Sequence, residues 1–178
     1  MLKQILISGF GGQGALSIGK NLVEAAMEQG YYVTWAPSYG PEMRGGTANC
    51  SVVLSDKPIG SPLFTHPSEL IAMNAPSLDK FLPNMRAGSA VFVNTSVVKN
   101  YAIPDTLHRV DVPCEEIAEK LGNKKVANMV MLGAYVAESG VIEAALVERM
   151  IHEMFTGAKA NLVPLNLEAF HAGMACLK

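Results

Sequence analysis

The chain has 178 residues, enough to bury one sizeable core, and nearly half of them (49%) are apolar. A net charge of -2 gives no whole-chain reason to bind nucleic acid or an anionic membrane. Cys50, Cys114 and Cys176 contain no CxxC pair. They argue against a disulfide framework, a zinc site of the usual kind, and an iron–sulfur cluster held by this chain alone.

In chain order, residues 3–9 (KQILISG) predict a short buried strand bounded by glycine. The N-terminus carries a lysine and a short apolar run but no signal-peptide core, so reduced thiols and a cytoplasmic location are expected. Residues 15–29 predict a helix, with Leu16, Ile18, Leu22, Val23, Ala26 and Met27 roughly on one face and Gly30 ending it. YYVTWA (31–36) reads as a strand, 37–46 as a ten-residue loop, 47–55 as a strand and 56–67 as a loop rich in Pro and Gly. Further strands are expected at 69–74, 89–94 and 108–113, with helices at 75–82, 114–121, 126–139 and 142–155. The amphipathic C-terminal stretch 165–177 reads as a last helix. The ten methionines are expected as core filling.

Strands alternating with helices imply a mainly parallel sheet covered on both faces. The expectation is one Rossmann-like α/β domain spanning 1–178, a three-layer α/β/α sandwich. The hairpin around 37–46 predicts at least one antiparallel strand. The helix at 126–137 is apolar nearly all round. It fits either the interior of the domain or an obligate interface, and the second reading predicts self-association of the isolated chain. At that length it is too short to span a bilayer.

Gly9-Phe10-Gly11-Gly12-Gln13-Gly14 satisfies GxGxxG between a predicted strand and a predicted helix. Two readings stand: an anion site at the helix N-terminus formed by Gly11, Gly12, Gln13 and Gly14, or glycines that only permit close packing. Conventional dinucleotide binding wants an acid about twenty residues on, after the second strand. Thr34-Trp35-Ala36-Pro37 stands there, and the nearest carboxylate is Glu42 in the following loop.

GFGGQG, then PSYGPEMRGGTANCSVVLSD, then IGSP resemble the gamma subunit of the 2-oxoacid:ferredoxin oxidoreductases, over essentially the whole chain. The resemblance implies a multi-subunit enzyme that oxidatively decarboxylates a 2-oxoacid with coenzyme A. The products would be an acyl-CoA, carbon dioxide and two electrons passed to ferredoxin. The implied partners are alpha, beta and ferredoxin-like subunits. Thiamine diphosphate, magnesium and iron–sulfur clusters are expected on those subunits and not on this chain, which has no thiamine diphosphate–magnesium motif and no metal-ligand cluster. The short unfused chain with YGPEMRGG favours 2-oxoglutarate or a branched-chain oxoacid as substrate. Alternatives are a stand-alone nucleotide-binding oxidoreductase, the beta subunit of indolepyruvate:ferredoxin oxidoreductase, and an assembly module without a ligand.

In the 37–46 segment, prolines fix backbone angles and glycines release them, so one shape can present Tyr39, Glu42 and Arg44 at a seam between subunits. Arg44 has the fork geometry for a coenzyme A phosphate or the substrate side, for a partner carboxylate, or for a local acid such as Glu42. Asn94, in Asn94-Thr95-Ser96, is expected at the carboxyl edge of the sheet. There it either contributes to the same crevice or makes a cap or turn. His66, His108, His152 and His171 have no partner set at recognisable spacing, and Ser8, Ser38 and Ser51 lack a GxSxG context. Cys50 is expected as a small core residue.

Overall fold

Six strands form one sheet: β1 (Leu2–Phe10), β2 (Tyr32–Tyr39), β3 (Thr47–Ser55), β4 (Glu69–Ala72), β5 (Ala90–Asn94) and β6 (His108–Val112). Their spatial order is β2-β3-β1-β4-β5-β6. The computed structural model describes residues 1–39 and 47–177. β1 pairs parallel with β4, β4 with β5, and β5 with β6. β3 runs antiparallel to both of its neighbours, β1 and β2. β2 therefore points the same way as β1 but lies two positions away. Among the described residues, six α-helices complete the fold: α1 (Ala15–Glu28), α2 (Ala75–Phe81), α3 (Cys114–Lys120), α4 (Ala127–Ser139), α5 (Ala144–Met154) and α6 (Val163–Ala175). The architecture is α/β with a mainly parallel sheet, and the antiparallel strand is the one the hairpin pattern predicts.

β2 extends three residues beyond the predicted end at Ala36, through Pro37 and Ser38 to Tyr39. Proline cannot donate to a ladder, so within sheets it is confined to edge strands and bulges, and β2 is an edge. Tyr39 is thus the last strand residue, paired with Ala48. Glu42 and Arg44 lie outside the described residues.

Alternating residues of each strand separate two cores. On one face Ile5, Ile7, Cys50, Val52, Leu54, Ile71, Phe92 and Val112 pack with α1 and α3 to α6. On the other Leu6, Leu70, Ala72, Val91 and Val93 pack against α2, Val98 and loop residues such as Phe64 and Tyr101. The second layer is thin, one short helix plus loops. The apolar helix resolves to the first of its two readings. α4 is enclosed within the chain, with Met131, Leu132, Ala134 and Tyr135 fully inaccessible. The exposed apolar patch that would drive self-association through it is absent, because α6 packs along it. A Cβ on Gly133 would lie 1.9 Å from the Phe170 carbonyl oxygen, and one on Gly173 would lie 2.0 Å from that of Val130. The two helix backbones are thus in direct contact at two reciprocal points.

Beneath α4, Glu69 is 4% exposed at the start of β4. It accepts a hydrogen bond from the Tyr135 hydroxyl at 2.6 Å and pairs with Lys3. A buried carboxylate with these two partners is compensated rather than orphaned. Among the described residues, no helix is long and apolar enough to cross a membrane.

Candidate functional site

The carboxyl ends of β1, β4 and β5 and the N-terminus of α1 meet at one edge of the sheet, where open α/β sheets place ligands. The chain turns from β1 into α1 through Phe10–Gly14, with the Gln13 N–H donating to the Phe10 carbonyl at 3.0 Å. Gly14 caps α1 with φ 77°. A Cβ there would come within 2.7 Å of Asn128, near the start of α4. Only glycine meets both conditions at low cost. Gly14 has no side chain to cap the helix, and the first turn of α1 holds no acid. Among the described residues, the amides of that turn receive no side-chain cap. The start of α4, preceded by Lys124 and Lys125, arrives at the same place.

Gln13 holds this loop in shape. Its Oε1 accepts from the Phe10 N–H at 2.7 Å and from Asn74 Nδ2 at 2.9 Å, while its Nε2 donates to the Met73 carbonyl at 3.0 Å. Asn94, fully buried, donates from Nδ2 to the same Met73 carbonyl at 3.3 Å. Asn74 caps α2 by accepting from the Ser77 N–H at 2.9 Å, and also takes the Ser77 hydroxyl at 2.7 Å. The Ser77 and Ser8 hydroxyls lie 2.9 Å apart. A chain of polar contacts thus runs beneath the crevice from β1 through α2 to the end of β5. Sequence reasoning missed Met73, Asn74 and Ser77, and weighed Ser8 only as a nucleophile. Only Asn74, followed by Pro76 in the first helical turn, carried a local sign as a cap.

Gln13 and Asn94 are therefore brought together, on the two sides of one carbonyl. The Gln13 amide is taken up internally at both ends. Asn94 Oδ1 is buried and has no hydrogen-bond partner among the described residues. Of its neighbours, Ser96 serves as a cap, its Oγ accepting from the Glu116 N–H at 3.0 Å in the first turn of α3.

The register of β3 links the loop to the second motif. Phe10 pairs with Thr47, and Ala48 pairs with Tyr39. Both ends of the chain flanking residues 40–46 thus sit on the sheet edge where the glycine loop begins. The same insertion of β3 moves the end of β2 two strand spacings, about 10 Å, from the end of β1. A ribose-holding acid after β2, had the chain one, would stand far from the glycine loop.

The other candidates take structural places. His108 and His171 pair with Glu138 and Glu148 at 2.7 and 2.8 Å on the surface, and His66 meets the Asn84 carbonyl at 2.9 Å. Cys50 is buried between α1 and Trp35, and burial pushes its thiol up to about 11. Such a thiol is unreactive at neutral pH. Among the described residues no group of three His, Cys, Asp or Glu side chains is placed to hold a metal.

Residues 4–176 match the family described as pyruvate ferredoxin/flavodoxin oxidoreductase. The chain is 39% identical over 172 residues to ketoisovalerate oxidoreductase subunit VorA of Methanothermobacter marburgensis. That match covers 96% of this chain but 35% of VorA, so the chain spans about a third of that relative. It is 36% identical over 185 residues to 2-oxoglutarate synthase subunit KorC of the same organism, covering 97% of this chain and 95% of KorC. Among solved structures, the gamma subunit of a keto/oxoacid ferredoxin oxidoreductase from Geobacter sulfurreducens superposes with a TM-score of 0.81. It shares 30% identity, and the match covers 97% of this chain and 96% of that one.

Proposed function

The chain belongs to the pyruvate ferredoxin/flavodoxin oxidoreductase family, and from that premise we propose that it is the gamma-type subunit of a multi-subunit, cytoplasmic 2-oxoacid:ferredoxin oxidoreductase. The complex decarboxylates a 2-oxoacid, transfers the acyl group to coenzyme A and passes two electrons to ferredoxin. Thiamine diphosphate, magnesium and the clusters reside on its companion subunits. The kinship with KorC and VorA favours 2-oxoglutarate or a branched-chain oxoacid.

Within that complex the chain completes a site rather than performing the redox step. The uncapped amides at the N-terminus of α1, framed by Gly11, Gly12 and Gly14, receive a phosphate of coenzyme A. Gln13 fixes the loop from beneath, Asn94 contributes the polar floor, and Arg44 meets either that phosphate or a carboxylate across the subunit seam beside Tyr39 and Glu42. The observation that carries this reading is the Phe10–Thr47 pairing, which anchors the two motif segments at one edge.

The test is to isolate the chain with its native companions and follow ferredoxin reduction against a panel of oxoacids, with and without coenzyme A. Arg44→Ala is expected to weaken assembly or to raise the Michaelis constant for coenzyme A. Absence of companion subunits, or a variant unchanged in both respects, overturns the reading. The rival reading as a nucleotide-binding oxidoreductase predicts saturable binding of NAD(H) by the isolated chain, which the missing ribose clamp opposes.

A further inference from the structure

Helices α1 and α5 lie side by side away from the crevice. They are tied at one end by Gln29, just past α1, which donates to the Val141 carbonyl and accepts from the Glu143 N–H, both at 2.9 Å. An Arg149–Glu28 ion pair joins them further along. Between the tied helices runs a groove of about 630 Å³. Its walls carry Met27, Met150 and Met154, and its rim carries Glu24 and Glu153. Met27 is 59% exposed and Met154 39%, an unusual exposure for apolar side chains this size. Asn21 is part of the wall and is 1% exposed. Neither atom of its amide has a hydrogen-bond partner among the described residues.

A buried amide with both ends unsatisfied opposes folding and is rarely left so without another use. Its donor and acceptor lie side by side, the complement of the N–H and C=O that one extended residue presents on the same side of its strand. Methionines form walls that adapt to an apolar side chain, and their unbranched stems let an incoming segment reach the amide by displacing thioethers rather than helices. The rim has a sign as well. Lys20 pairs with Glu24 at 3.6 Å and Arg149 with Glu28, but Glu153 has no ion-pair partner among the described residues. A third argument comes from VorA, of which this chain spans 35%: in that relative the same unit must lie alongside further polypeptide.

We propose that the α1–α5 groove docks a backbone segment of a companion subunit, one that presents an apolar side chain next to a lysine or arginine. The apolar group enters between Met27, Met150 and Met154, the backbone N–H and C=O of one extended residue satisfy Asn21, and the cation meets Glu153. This rests on the reading of the chain as a subunit of a larger enzyme.

The experiment co-expresses the tagged chain with its companion subunits and measures their dissociation constant for wild type, Asn21→Leu and Met154→Glu. Thermal melts of each chain alone run beside it. Replacing the orphaned amide by an apolar group of similar branching is expected to raise the melting temperature of the lone chain by about 2–4 °C. The same change is expected to weaken the complex about tenfold. Met154→Glu, at a partly exposed position, is expected to leave the melt nearly unchanged and to weaken the complex by a similar factor. If wild type assembles and both variants bind as tightly, the groove proposal is overturned while the subunit reading stands. If wild type binds no companion subunit, the subunit reading fails and takes this one with it. If the lone chain dimerises, and Met154→Glu abolishes only that dimer, the occupant is a second copy and the proposal is wrong.

Discussion

In an open helix, replacing glycine by alanine stabilises by about 1 kcal/mol, because the backbone loses less freedom on folding. At Gly133 the structure reverses that expectation. The new Cβ would stand 1.9 Å from the Phe170 carbonyl oxygen, where ordinary contact begins near 3.4 Å. The offending atom is backbone, so it cannot rotate away, and α4 and α6 must part by about 1.5 Å. A gap of that size forfeits at least a quarter to a half of each dispersion contact across the seam. Overpacking of this kind costs about 1–3 kcal/mol or more before the propensity gain is subtracted. A clash against backbone belongs at the upper end of that range, so Gly133→Ala should lose about 2 kcal/mol net, a melting temperature lower by about 4–8 °C for a chain of this size. Urea unfolding followed by circular dichroism measures it. Gly173→Ala should behave alike, and the double variant should cost clearly less than the sum, since one separation accommodates both methyl groups. A Gly133→Ala protein as stable as wild type would refute the close-contact argument.

Tyr135→Phe removes one partner of the buried Glu69 carboxylate and should destabilise by about 1–3 kcal/mol in the same assay. Gln13→Leu breaks three hydrogen bonds and leaves the Met73 carbonyl and Asn74 amide short of partners. A loss of about 2 kcal/mol is expected, together with a higher Michaelis constant for coenzyme A in the assembled enzyme. The Cys50 thiol, raised from 9.0 to about 11, stays protonated longer in the folded state than in the unfolded chain. Its stabilising contribution is complete below pH 9 and is withdrawn between pH 9 and about 11, amounting to about 2–3 kcal/mol. Denaturant midpoints across that range should fall with rising pH, and fall less steeply in a Cys50→Ala chain, where burial of the Cys114 thiol and the Tyr135 hydroxyl, both also pushed up, supplies the remaining slope. Alkylation at pH 8 should mark half-buried Cys176 well before Cys50 or Cys114, read by peptide mass spectrometry.

Much of the fold is legible because the strands of a covered sheet carry continuous apolar runs, and residues 5–7, 52–54 and 90–93 are such runs. Pro37 hid the last three residues of β2, since proline ends a strand by local rules and only the edge position in the finished sheet makes it harmless. The two fates of the 126–137 helix could not be separated by periodicity, because an apolar surface looks alike whether another helix or another subunit covers it. At the site, the glycine loop and Asn94 announced themselves by position. What makes them one unit, the Ser8–Ser77–Asn74–Gln13 chain and the shared Met73 carbonyl, joins residues more than sixty positions apart and leaves no local trace. Gln13 was legible only as a member of the glycine motif, and its amide is taken up within that loop. The Asn21 orphan was invisible, being a polar residue in a helix whose apolar neighbours already explained the pattern.

Because β3 runs against its neighbours, Tyr39 and Thr47, the residues on either side of 40–46, both stand at the crevice rim. The two strand ends are in effect a fixed mount: a substitution that unseats the Phe10–Thr47 or Tyr39–Ala48 pairing should disturb the glycine loop and the flanks of the second motif together.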